Sequence, residues 1–203
     1  ELLPNSDVDV LVLIDDKKLS EQGRERINAA IEQWLGSLWD SGLAPSHSVR
    51  TISECLQFCH EDLATETAII EGRWLIGDKS VFDSFYAQFY KGFQARTFWR
   101  NKIAEKNARY SRFDETPFSL EPNCKESPGG LRDLHLMMWL SKSSGIAQNW
   151  SDLHTIGWLN ERQVKLIQKC ETLLLAIRAH LHIMTRRSEN RLLFDLQGGL
   201  AQA

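Results

Sequence analysis

The first organised pattern along the chain is an apolar stretch rich in β-branched residues, Val8 and then an unbroken run from Val10 to Ile14, preceded by the turn-forming Pro4-Asn5-Ser6. Such a run predicts a buried strand. A charged turn follows, and Ser20-Glu21 opens a helix through about Asp40. In that helix Ile27, Ile31, Trp34, Leu35 and Leu38 fall at helical spacing. Leu43 to Thr51 reads as a second strand, with Pro45 at its start or on an edge. Ser53 is a cap for another helix running to about Ile76, carrying Leu56, Leu63, Ile69 and Ile70. Strand, helix, strand, helix is the order of an α/β unit packed on a small sheet, although two strands are few for a sheet that stands alone.

From Lys79 onward the pattern is helical. Lys79 to Tyr90 and Ala95 to Phe113 are predicted helices separated by Gly92. The second carries Arg96, Arg100, Lys102, Glu105, Lys106, Arg109 and Arg112. A charge run of this kind marks either a solvated face or a surface for phosphate or a partner. Asp114 to Pro128 is a loop broken by Pro117, Pro122 and Pro128. A helix from Leu131 to about Lys142 and a polar linker from Ser141 to Asp152 come next. The longest helix begins at a capping box, Asn160 with Gln163, and runs to about Arg187. Its predicted buried stripe is Leu166, Leu173, Leu174, Ile177, Leu181 and Met184. Leu192 to Ala203 is too short to assign. The fold class expected is α+β and predominantly helical, with a unit over residues 1–78 and a helical domain over 79–203.

Composition changes this picture little. The chain has 203 residues, 42% hydrophobic and 25% charged, with a net charge of −3. These are values of an ordinary globular protein without the basic signature of a nucleic-acid binder. No apolar run approaches membrane-spanning length and no signal peptide is visible, so neither nucleic acid nor membrane is an expected partner. The first residue is not Met, and the chain reads as a piece of a longer protein. The spacing of Cys55, Cys59, Cys124 and Cys170 is not a disulfide framework, which fits a reducing cytoplasm. Cys55 and Cys59, at i and i+4, are read as small apolar residues of a buried helix face rather than as part of a zinc site with His60, which needs two more ligands at suitable spacing.

Two stretches carry candidate chemistry. Asp7 and Asp9 stand at i and i+2 on the first strand, so their carboxylates share one face. Two like charges held this close repel unless a cation lies between them. Mg²⁺ suits one or two such carboxylates, with its other ligands taken from water and phosphate. The plainer reading is an Asp-rich turn ahead of a strand. The second stretch is Lys125 to Asp133. Gly129 and Gly130 before a helix leave backbone N–H groups open to an anion, and Lys125 and Arg132 add positive charge. The alternative is a glycine turn that only starts the helix, with Arg132 paired to a nearby carboxylate.

Glu1-Leu2-Leu3-Pro4-Asn5-Ser6-Asp7-Val8-Asp9-Val10-Leu11-Val12-Leu13 resembles the metal-binding strand of the nucleotidyltransferase superfamily. Its flanking form is similar to bacterial PII uridylyltransferase/uridylyl-removing enzymes. Ser46 to Thr51, Glu121 to Leu134 and Glu189 to Asp195 resemble the same family, in its order. The resemblance implies a nucleotidyltransferase palm, here truncated because a Gly-Gly turn and short helix normally precede Glu1. That loss leaves the piece itself a poor catalyst. It further implies transfer of UMP from UTP to the PII signalling protein, with Asp7 and Asp9 as catalytic Mg²⁺ ligands. Ser6, Arg50, Lys125, Gly129, Gly130 and Arg132 are the expected nucleotide contacts. Arg50 suits a triphosphate because its fork matches phosphate oxygens.

Superfamily members commonly hold a third carboxylate beside the Asp-x-Asp strand. The matching stretch here has His47, Ser48 and Arg50 and no acid, which leaves Asp62, Glu71, Glu121 or Asp133 as sources. His47 is a ligand, a substrate contact or a core histidine. Two other readings stand beside the transferase: a nucleotide-binding or interaction module without catalysis, and a related adenylyltransferase acting on glutamine synthetase, whose acid Ser46 to Thr51 lacks. The uridylyl-removing hydrolase and the glutamine-sensing domains of the family are not visible in this chain.

Overall fold

The computed structural model describes residues 2–15, 20–113 and 115–202. Among these residues the chain forms one two-stranded sheet and nine helices, in two compact units, 1–93 and 94–203. Helix far exceeds strand, as the sequence predicts for a predominantly helical α+β fold.

In the first unit, β1 (Asp7–Ile14) pairs in parallel with β2 (Ala44–Thr51), and α1 (Glu21–Asp40) makes the crossover that parallel strands require. Ser20 caps α1, its side chain accepting from the Gly23 N–H at 3.2 Å. Leu35 is buried on the inner face of α1, whereas Trp34 is exposed. Side chains alternate along β1 as the pleat demands: Val8, Val10 and Val12 are half-buried, and Asp7, Asp9 and Leu11 are exposed.

The single helix expected from Ser53 to Ile76 is two. α2 (Ile52–Phe58) starts at Thr51, in a capping box with Glu54, and α3 (Leu63–Glu71) starts at Asp62. Asp62 breaks the run because its carboxylate accepts from the Thr65 N–H at 2.9 Å, which fits a helix start and not a helix interior. α4 (Lys79–Gly92) completes the unit and contacts β1 and α2. The unit therefore runs one helix past Asp78. Phe85 and Phe89 of α4 are buried with Cys55, Cys59, Ile69 and Ile70. Tyr86 donates its hydroxyl to the Ile69 carbonyl. Burial pushes the Cys55 thiol up to about 11 and raises Cys59 as well, so both are inert core residues. His60 stacks on Phe89 at 5.3 Å and pairs with Glu66 at 2.9 Å.

The second unit holds α5 (Ala95–Ser111), α6 (Leu131–Ser143), α7 (Trp150–Thr155), α8 (Glu161–Thr185) and α9 (Phe194–Leu200). α7 lies in the stretch read as linker, started by an Asn149–Asp152 capping box, and α9 in the unassigned tail. Trp150 and Leu153 of α7 pack with Ala147 and Val164 in a small core. The capping box of Asn160 and Gln163 opens α8 as predicted.

The buried face of α8 matches the predicted stripe only in part: Leu181 is buried and Leu174 and Ile177 are half-buried. Leu166 and Leu173 are each 59% exposed and Met184 is exposed, whereas Val164, Arg178, Leu181 and His182 are buried. Apolar periodicity misses this face because two of its buried members are polar. They turn inward to a polar partner: Arg178 Nε donates to Asn190 Oδ1 at 2.7 Å, and His182 Nε2 lies 3.4 Å from the same oxygen.

Candidate functional site

The candidate residues fall in both units. In the first, the parallel register sets Asp7 opposite Ala44, Asp9 opposite Ser46, Leu11 opposite Ser48 and Leu13 opposite Arg50. Residues paired in register share a face of the sheet. Asp7, Asp9, Ser46, Ser48 and Arg50 thus belong to one face, and Asp7 and Asp9 are solvent-exposed on it. The Leu3 carbonyl accepts from the Ser6 N–H at 3.0 Å, closing the turn that leads into Asp7. Arg50 Nε donates to Ser48 Oγ at 2.8 Å, and its guanidinium stands 5.0 Å over the Phe58 ring. His47 pairs with Val10, on the opposite face, and meets the Trp39 ring edge-on at 6.3 Å. Alternation therefore separates His47 from the two carboxylates. Two exposed carboxylates on one face are a donor set that fits Mg²⁺. Among the described residues no group of three or more His, Cys, Asp or Glu gathers around a common point. Of the proposed third acids, Asp62 is engaged as the α3 cap.

In the second unit, the loop ahead of α6 is a brace. Asn123 Oδ1 accepts from the N–H groups of Lys125 and Glu126 at 3.0 and 2.9 Å. The N–H donors that the Gly-Gly pair was expected to leave open are all taken. Gly129 N–H donates to Asp133 Oδ2 at 2.7 Å, Gly130 to the Ser127 carbonyl, Leu131 to the Cys124 carbonyl and Arg132 to the Lys125 carbonyl. Arg132 pairs with Glu126 at 2.9 Å.

The glycines have separate reasons to be glycine. Gly129 has φ +79°, in the left-handed region. A Cβ on Gly130 would meet the backbone oxygens of Lys125 and Ser127 at 2.9 Å and of Cys124 at 3.0 Å. Gly130→Ala is therefore expected to destabilise the protein by about 1–3 kcal/mol. Gly36→Ala, inside α1 with nothing within 4 Å of the added carbon, is expected to stabilise it by about 0.5–1 kcal/mol. Urea midpoints of the two variants check this, and an equal shift in both would contradict it.

Behind the loop lies a partly buried ionic network around the buried Arg109. Arg109 Nη2 donates to Asp133 Oδ1 at 2.5 Å, Arg109 Nη1 to the Glu126 carbonyl at 2.6 Å, and Tyr110 Oη to Asp133 Oδ2 at 2.6 Å. Burial alone would raise the Asp133 carboxyl. Hydrogen bonds from Tyr110, Arg109 and the Gly129 N–H, with the Arg109 charge, outweigh it and hold the group below the usual carboxylate range. Tyr110, partly buried and hydrogen-bonded to Asp133, is pushed up to about 12.

The segments 121–124 and 189–194 then close on each other. Cys124 N–H donates to the Asn190 carbonyl at 2.8 Å, Leu192 N–H to the Pro122 carbonyl at 2.9 Å, and Phe194 N–H to Glu121 Oε1 at 3.0 Å. Asn123 and Arg191 form an antiparallel bridge. Two stretches about 70 residues apart are thus one structural element. Sequence reading singled out both without pairing them, placed Arg109 only within a charge run, and gave no role to Tyr110, Asn190 or Glu126. The one available sign was that Lys102 and Arg109, seven apart, share a helix face.

A family model described as GlnD PII-uridylyltransferase matches residues 97–203, nearly the whole of the second unit, and the chain belongs to that family. It is 42% identical over 202 residues to the bifunctional uridylyltransferase/uridylyl-removing enzyme of Bordetella avium (strain 197N), covering 100% of this chain and 23% of that protein. It is 37% identical over 203 residues to the proteins of the same description from Burkholderia mallei (strain SAVP1) and Burkholderia pseudomallei (strain K96243), again over 100% of this chain and 23% of theirs. The chain thus spans about a quarter of the length of these curated relatives. No solved structure matches it. Among the described residues no helix is long and apolar enough to cross a membrane.

Proposed function

We propose that this chain supplies the metal-binding strand and helical brace of a nucleotidyltransferase that moves UMP from UTP to the PII signalling protein. The observation that carries the reading is the exposed pair Asp7 and Asp9 on one sheet face, in a chain of the PII-uridylyltransferase family. Asp7 and Asp9 would hold Mg²⁺ there, and the bound ion would supply charge neutralisation on a triphosphate. Asp7 and Asp9 hold the cation from a strand whose other face is packed, so their spacing is fixed before substrate arrives. Arg50 lies on the same face four residues beyond the Asp9 row, roughly 13 Å along the strand at about 3.3 Å per residue. Its bond to Ser48 draws the guanidinium one row nearer. That separation suits an extended polyphosphate, and Ser6 ends the turn beside the same carboxylates. A PII hydroxyl is the acceptor: its oxygen bonds to the α-phosphorus, the bond to the bridging oxygen breaks, and pyrophosphate leaves.

Lys125, Gly129, Gly130 and Arg132 enter this reading as members of the brace, since their N–H groups donate to Asn123, Asp133, Ser127 and Lys125 in turn and Arg132 pairs with Glu126. A binding titration against UTP, ATP, CTP and GTP, with and without Mg²⁺, tests the proposal. UTP is expected to bind tightest, and only with Mg²⁺. Equal binding of all four without metal would overturn it.

A further inference from the structure

β2 and α2 border an open groove of about 560 Å³, lined by His47, Ser48, Val49, Arg50, Glu54 and Phe58. At its centre is Arg50, half-buried and on the sheet face of Asp7 and Asp9. Its two close partners are uncharged: Ser48 Oγ accepts from Nε at 2.8 Å, and the Phe58 ring lies under the guanidinium at 5.0 Å. Glu54, the groove's one acid, accepts instead from the Thr51 N–H at 2.8 Å and forms no ion pair with Arg50. Neither Nη of Arg50 has a hydrogen-bond partner among the described residues. The Thr51–Glu54 capping box sets the turn from β2 into α2, and the buried Cys55 seats that helix. About two helical turns on, Phe58 is thereby brought back against Arg50, with 41% of its surface still exposed.

We infer that Phe58 is a positioning residue for Arg50, holding the guanidinium with its Nη edge turned to the polyphosphate; this rests on the reading of Arg50 as a triphosphate contact. Ser48 takes the Nε edge and the ring backs one face of the guanidinium plane. What is left is the pair of Nη groups, the edge that meets two phosphate oxygens at once. An aromatic face attracts a cation without neutralising it. A carboxylate in the place of Phe58 would hold Arg50 as well and cancel the charge the phosphate needs. Ordering a long side chain before the ligand arrives also removes that cost from binding.

Mg²⁺-dependent titration of the full-length protein with UTP tests the role. Arg50→Gln is expected to weaken UTP about 10–100-fold and Phe58→Leu about 3–5-fold. Phe58→Tyr, which keeps the aromatic face, should bind like the parent. In an Arg50→Gln background, Phe58→Leu should change nothing further, because it acts through the guanidinium; a merely structural loss would persist there. Parent-like binding by Arg50→Gln would remove the phosphate contact and this inference with it. A weakened Arg50→Gln beside an unchanged Phe58→Leu, or a Phe58→Leu loss that persists in full in the Arg50→Gln background, would overturn the positioning role alone.

Discussion

Asp9→Asn is expected to abolish Mg²⁺-dependent UTP binding while leaving the fold unchanged. The side chain is exposed at the start of β1, and its Cα pairs with Ser46 through backbone bonds that the substitution does not touch. Only a charge is removed. Losing an outer partner of a metal ligand costs about 10–100-fold in metal affinity, so losing one of two carboxylates directly should cost at least about 100-fold. Circular dichroism establishes the fold and a UTP titration across Mg²⁺ concentrations reads the binding. A folded Asp9→Asn protein that binds UTP with unchanged metal dependence would remove Asp9 from the metal site.

The second large effect is on stability. Arg109→Ala is expected to destabilise the protein by about 2–3 kcal/mol, because it removes the cation from a partly buried, hydrogen-bonded carboxylate. Asp133 loses its cation, the Glu126 carbonyl loses a donor, and only Tyr110 and the Gly129 N–H remain on the carboxylate. A loss of this size lowers the melting temperature on the order of 10 °C. The network also sets an acid limb. The folded pKa of Asp133 lies below its unfolded value, so its contribution is present above the unfolded value and is lost as pH falls through the folded one. Stability should therefore fall on acidification in the parent, and fall less steeply in Asp133→Asn, whose starting stability is already reduced. Calorimetric scans between neutral and acid pH check both. A melting temperature for Arg109→Ala within 2 °C of the parent would show the network to be dispensable.

What could be read from sequence follows from how each element is encoded. β1 is legible because its β-branched apolar run fixes its type, and the two-residue period of a strand puts Asp7 and Asp9 on one face. α1 and α8 are legible at their starts because Ser20 and Asn160 cap them in a way that short-range chemistry dictates. The break at Asp62 was hidden because an Asp inside a polar helical stretch looks the same whether it caps or faces solvent. The buried face of α8 was hidden for a different reason: Arg178 and His182 are interior beside Asn190, whose side-chain oxygen the returning tail brings to them.

The charges of α5 show the same limit. Arg96, Arg100 and Arg112 lie on the solvated face that a charge run suggests, but Lys102 and Arg109 point inward. Their partners come from α5 itself and from the brace, and only the second is remote in sequence. The Gly-Gly pair was legible as a helix start, and its donors were misjudged because their acceptors, Ser127, Cys124, Lys125 and Asp133, depend on how the loop folds over itself. The candidate metal face needed no tertiary information, which is why it was visible in two residues and a turn.

The central claim is that Asp7 and Asp9 serve transfer of a nucleotidyl group. Its most direct measurement is label transfer to PII from UTP carrying phosphorus-32 at either the α or the γ position, using the full-length protein and its Asp7→Asn counterpart with Mg²⁺ present. Label on PII from α-labelled UTP, none from γ-labelled UTP, and loss of transfer in folded Asp7→Asn is the predicted result. Transfer from the γ position, or undiminished α transfer by Asp7→Asn, would contradict it.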